Sequence, residues 1–135
     1  MKLVLVAAAI LISDSKAFCT QRSNQGETAL KWEFPGGKIK PSETPEEALK
    51  REIREELSCE ISVDELYITV EHQYETFHLT MHCYKCSLLS EKIVLNEHLD
   101  SCWLPIDDLH TLDWAPADIP VVEKLQAEWR NEHGK

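Results

Sequence analysis

Seven glutamates fall within the eighteen residues from Glu43 to Glu60, and three of them, Glu52, Glu55 and Glu56, lie three and four positions apart. On a helix that spacing sends all three carboxylates out from one patch. Like charges so placed repel, and the interleaved Lys50, Arg51 and Arg54 relieve them only in part. A solvated acidic face would explain the charge pattern alone. The chemical reading is a hard-cation site, because three or more oxygen ligands suit Mg2+, which keeps several waters and shares its shell with substrate phosphates. Upstream, Gly36 and Gly37 stand where missing side chains let the backbone approach a ligand closely and offer a free carbonyl to a metal.

The elements that must position these groups can be read on either side. Lys31-Trp32-Glu33-Phe34 alternates like a strand and ends at the breaker Pro35-Gly36-Gly37. Thr44, Pro45 and Glu47 supply an N-cap, a first-turn proline and the third-position acid of a capping box, so a helix is expected from there to about Leu57. Its apolar side is Leu49, Ile53 and Leu57. Strands are expected at Leu3 to Ile12, Lys16 to Thr20, Ile61 to Val63, Leu66 to Tyr74, Thr76 to Leu88 and Ser101 to Leu104. Arg22 to Thr28 reads as a loop, Pro105 to Leu109 as a turn, and Ile119 to about Arg130 as a last helix buried through Val122, Leu125 and Trp129. Strands with one inserted helix and one terminal helix define an α+β chain, a mixed sheet covered by helices, in a single domain spanning residues 1 to 135.

Composition narrows the partners. With 24 acidic against 14 basic side chains the formal balance is -10, which excludes a basic face for long nucleic acids and makes an anionic membrane a poor partner. A small anion is compatible only if a cation stands between it and the protein. Five scattered cysteines, an odd number, point to reduced thiols and a cytoplasmic setting. Cys83 and Cys86 imitate a zinc or redox pair, but on a strand they face opposite sides. His72, His78 and His82 invite a metal reading, and a solvated or ligand-facing strand surface is the alternative. The apolar run Leu3 to Ile12 with Ser15-Lys16-Ala17 imitates a secretory signal. Its β-branched residues and the turn at Asp14-Ser15 favour a buried hairpin strand; a secreted Ca2+-binding domain is the reading that would follow from a signal.

Taken together, Gly37, Glu43, Arg51-Glu52-Ile53 and Glu55-Glu56 resemble the signature of the Nudix hydrolases, G-x5-E-x7-R-E-U-x-E-E-x-G-U with U apolar. One position departs: Ser58 stands where the signature has its last glycine, a residue that normally ends the helix, so a weakened C-cap is expected without loss of a ligand. The resemblance covers nearly the whole chain and is greatest to the MutT-like branch, through Trp32 to Lys38, Gln21-Arg22 and Glu97-His98. Ala115 to Pro120 looks similar to the base-recognition segment, in wording nearest the CTP pyrophosphohydrolase members.

That resemblance implies a Nudix α/β/α sandwich and hydrolysis of a (d)NTP to (d)NMP and pyrophosphate, with 8-oxo-dGTP or a pyrimidine nucleotide such as CTP as substrate. It implies Mg2+, for which Mn2+ can substitute, held by Glu52, Glu55, Glu56, Glu97 and the carbonyl of Gly36. Glu52 is the first choice to orient or deprotonate the water, while Arg51 is expected to pair with Glu43 and brace the loop. Arg22, Glu33, Phe34, Pro35 and Asp118 fall to the substrate. Phe34 is equally explained as core packing, and Asp118 as an N-cap for the last helix. A monomer or homodimer is expected, and a Nudix-fold module that binds a nucleotide or nucleotide sugar without hydrolysis is the alternative.

Overall fold

The computed structural model describes residues 2–134; Met1 and Lys135, the ends of the single-domain reading, lie outside them. Seven strands and two helices follow in the order β1 (Lys2–Ser13), β2 (Lys16–Gln21), β3 (Trp32–Glu33), β4 (Gly36–Lys38), α1 (Pro45–Leu57), β5 (Ile61–Gln73), β6 (Phe77–Leu88), β7 (Asp100–Pro105) and α2 (Ile119–His133). Short 3-10 turns occupy Ile106–Thr111 and Pro116–Asp118. The sheet is mixed: β1 runs parallel to β6 and antiparallel to β2 and β4, β5 closes one edge against β6, and β7 lies on β2.

Alternation along β1 explains the layers. Ala7, Ala9 and Leu11 face α1, where Leu49, Ile53 and Leu57 are fully buried against them. Ala8 and Ile10 face the other way, into a core closed by Val121, Val122 and Leu125 of α2. Three buried Leu and Ile side chains, at about 1.5–3 kcal/mol each, fix α1 on the sheet far more firmly than helix propensity could. The small residues of β1 also let the Gly36 strand lie close. A Cβ at Gly36 would come 2.0 Å from the carbonyl oxygen of Ala7, so only glycine fits there.

The capping box forms as read. Thr44 Oγ1 accepts the Glu47 amide at 3.1 Å, and Glu47 Oε1 accepts the Thr44 amide at 2.9 Å. The glycine segment differs from expectation: it pairs as β4 with Val6, Ala7 and Ala8 instead of breaking the chain. The expected strand from Lys31 shortens to Trp32–Glu33, and the two strands expected over residues 61–74 are one, kinked by register shifts after Val63 and Leu66. The last helix runs on to His133; Val122 and Leu125 are buried as expected, Trp129 is only partly buried, and Gln126 joins the core. Gln126 is tolerated there because its amide donates to the Ile106 carbonyl at 3.1 Å.

Candidate active site

Arg51 organises the acidic helix. Its Nε and Nη2 fork onto Glu43 at 2.6 and 2.9 Å, Nη2 also donates to the Lys38 carbonyl at 3.0 Å, and Nη1 holds Glu52 at 2.8 Å and Glu55 at 3.2 Å. The guanidinium thus ties α1 to the β4 loop, and its fork pulls the Glu43 carboxyl down to about 2. Gly37 makes room for Glu52: a Cβ there would come 2.3 Å from Glu52 Oε1.

Behind Glu52 lies Glu56, 9% exposed, with Oε1 buried and unpartnered. Burial, then the charges of Glu52, Glu33 and Glu97, push its carboxyl up to about 9 against a hydrogen bond from the Gly36 amide. Such mutual repulsion around an orphaned oxygen fits a cationic ligand. The oxygens do not yet form a closed cage: among the described residues no three His, Cys, Asp or Glu side chains converge on one point. Arg51, drawing Glu52 and Glu55 to itself, is the physical reason.

A cleft of about 420 Å3 opens from these carboxylates. At one end it is lined by Gly36, Gly37, Lys38, Glu52 and Glu56, and at the other by Phe34, Tyr74, Phe77, Leu79, Met81 and Asp118. Arg22 and Glu33 line it as well, joined at 3.1 Å, and the Glu33 charge acts on both Glu56 and Asp118. Asp118 reaches the cleft because Trp32 pairs with Trp114: the Trp32 amide donates to Asp113, and the Ala115 amide to Trp32. Its Oδ1 accepts the Phe34 amide at 3.0 Å, and it makes no capping bond to α2, which removes the N-cap explanation. Burial, then Glu33, raises the Asp118 carboxyl well above its usual range. Phe34 is 3% exposed and stacks on Trp114 at 4.8 Å, so it is a core residue with one side at the cleft.

Four of the expected site residues are absent from the lining. Pro35 is fully buried, and its carbonyl accepts the Ala9 amide, which makes it an anchor for the loop. Arg51 and Glu55 form the brace at the side, and Glu97 is exposed yet close enough for its charge to act on Glu56. Sequence reading missed Tyr74, whose hydroxyl accepts the Ala117 amide at 3.0 Å and fixes the Asp118 segment. Along β6 the period-two spacing of Phe77, Leu79 and Met81 is the signal in the sequence for the apolar wall.

The competing metal readings do not form. Cys83 and Cys86 enter different cores, on opposite sides of the sheet, and all five cysteines are free. His78 and His82 are engaged with Glu71, Gln73 and Thr69 on an exposed strand face. Among the described residues no helix is long and apolar enough to cross a membrane.

A mixed sheet between helices, an arginine-braced glutamate helix and a glycine strand beneath it are the arrangement of a Nudix-type hydrolase. The NUDIX domain family model matches residues 6–124, and the chain belongs to that family as a Nudix hydrolase. It is 34% identical over 127 residues to the CTP pyrophosphohydrolase of Escherichia coli (strain K12), with 94% of each chain covered. The 8-oxo-dGTP diphosphatase of the same organism is 31% identical over 127 residues, covering 93% of this chain and 98% of the relative. Among solved structures, the DNA mismatch repair protein MutT of methicillin-resistant Staphylococcus aureus 252 superimposes with a TM-score of 0.77 at 46% identity, covering 95% of this chain and 99% of that one.

Proposed function

We propose that the protein is a Mg2+-dependent nucleoside triphosphate pyrophosphohydrolase acting in the cytoplasm, releasing pyrophosphate and a (d)NMP from 8-oxo-dGTP or a pyrimidine (d)NTP such as CTP. The observation that carries this is a cleft with a carboxylate cluster at one end and a buried Asp118 beside an aromatic and apolar wall at the other. That polarity matches a polyphosphate joined to a base, and the activities for which the two Escherichia coli relatives are named support it.

Nudix hydrolases generally use a divalent metal. Here Glu52, Glu55, Glu56, Glu97 and the Gly36 carbonyl would hold it, as hard oxygen donors around the unpartnered Glu56 Oε1. Bound there, the ion supplies charge neutralisation for the polyphosphate and acidifies a bound water. Glu52 would orient the attacking water and take its proton. Arg51 keeps the helix and the β4 loop in register, and Arg22 offers its free N–H groups to phosphate or sugar. Glu33, Phe34 and Asp118 face the nucleoside, with Pro35 anchoring their loop. A protonated Asp118 donates as well as accepts, so it can match an oxidised guanine as well as an amino group.

Pyrophosphate release from a panel of CTP, 5-methyl-dCTP, dATP, dGTP and 8-oxo-dGTP with Mg2+ tests the reading. No turnover by folded protein would overturn it in favour of a non-hydrolytic binding module. Glu52→Gln should reduce turnover at least about a hundredfold while leaving thermal unfolding near that of the parent. Activity within a few-fold would remove Glu52 from the chemistry.

A further inference from the structure

His98 follows the candidate ligand Glu97, yet its side chain turns away from solvent, 5% exposed, and ends on Glu33. Nε2 lies 3.2 Å from Glu33 Oε2, while Arg22 Nη1 lies 3.1 Å from Glu33 Oε1. One carboxylate is therefore held from both sides. Facing a carboxylate oxygen, Nε2 is the donor in the tautomer that satisfies this contact. Nδ1 is buried with no partner, and a proton there would be an unpaired buried donor. Backbone contacts fix the histidine in place. The Leu99 amide donates to the Gln21 carbonyl, directly before Arg22, and the Asn96 amide donates to Glu56 at the end of α1.

We propose that His98 is a positioning residue: by donating Nε2–H to Glu33 it holds that carboxylate where it aims the Arg22 guanidinium into the cleft, and so sets affinity for the anionic nucleotide. Glu33 has one further tie that makes its direction matter. Its backbone carbonyl accepts Thr20 Oγ1 at 2.9 Å, so the main chain is fixed and only the carboxylate is free to swing. Arg22 reaches the cleft with Nε buried and unpartnered, which leaves Glu33 as its one side-chain hydrogen-bond partner among the described residues. Without His98, Glu33 loses one of its two partners and Arg22 its fixed direction. This role rests on the proposed reaction for its substrate, though not for its geometry.

The test is steady-state kinetics of His98→Leu on the preferred nucleoside triphosphate at saturating Mg2+. KM should rise about tenfold, the effect of one lost hydrogen bond to a charged group, with kcat within about threefold. His98→Gln, whose amide keeps a donor near the Nε2 position, should restore most of the lost affinity. In a Glu33→Ala background the His98→Leu change should have no further effect on KM. Additive effects, or a raised Mg2+ requirement with KM unchanged, would overturn the proposal and assign the histidine to Glu97. If the parent hydrolyses no triphosphate, the reaction fails, and the contact is still decided by a long-range 1H–15N spectrum of the unmodified protein. The proton is expected on Nε2; finding it on Nδ1 alone overturns the assignment.

Discussion

Asp118 shows how one buried side chain couples recognition to stability. Its carboxyl is raised by burial and by Glu33, so the folded protein keeps a proton there that the unfolded chain releases. The folded state then binds more protons, and stability falls as pH rises above the ordinary aspartate value. Asp118→Asn keeps an oxygen acceptor for the Phe34 amide and carries no charge. Thermal unfolding should therefore show the variant gaining on the parent between about pH 5 and about pH 8, with a flatter pH profile. A constant difference across that range would mean that Asp118 is ionised in the native protein. The same variant should change the ranking of nucleotide substrates, because an amide has fixed donor and acceptor ends.

At the scale of elements, α1 was legible from its cap at Thr44 to Leu57 because cap, charge spacing and apolar stripe agree within one short stretch. Its far end was legible only as a defect. Ser58 takes the left-handed conformation expected of the missing glycine, with φ 53°, and the structure compensates from outside the helix. Asn96 Nδ2 donates to Ser58 Oγ at 2.9 Å and to the Glu55 carbonyl at 2.8 Å, while the Val94 and Asn96 amides take the carbonyls of Leu57 and Glu56. Asn96→Ala should cost about 1–2 kcal/mol in chemical denaturation, from two lost hydrogen bonds. Ser58→Gly in that background should recover part of it by removing the left-handed strain. Full stability of Asn96→Ala would show that backbone contacts alone hold the segment carrying Glu97.

Other relations were illegible for equally physical reasons. Gly36 reads as a breaker because local preference says nothing of a partner strand with small side chains at Ala7 and Ala8. The Arg22, Glu33 and His98 contacts join three separate segments, and no periodicity encodes which loop will fall beside which.

For the whole molecule, the balance of -10 opposes the approach of any triphosphate. Raising ionic strength from about 10 to about 150 mM at fixed free Mg2+ should increase kcat/KM severalfold by screening that repulsion. A decrease would mean that Arg22 and Lys38 dominate the field at the cleft mouth. The long parallel pairing of β1 with β6, Leu3 against His78 through Leu11 against Cys86, carries a different consequence. It joins segments 75 residues apart in the sequence at the centre of the sheet, and that long loop must close before its contacts reward it. The cleft has walls from β1, from α1 and from β6, so it comes into being only in the step that makes this pairing. Refolding should be slow for a chain of this length, and recovery of activity should track burial of the sheet, not formation of α1.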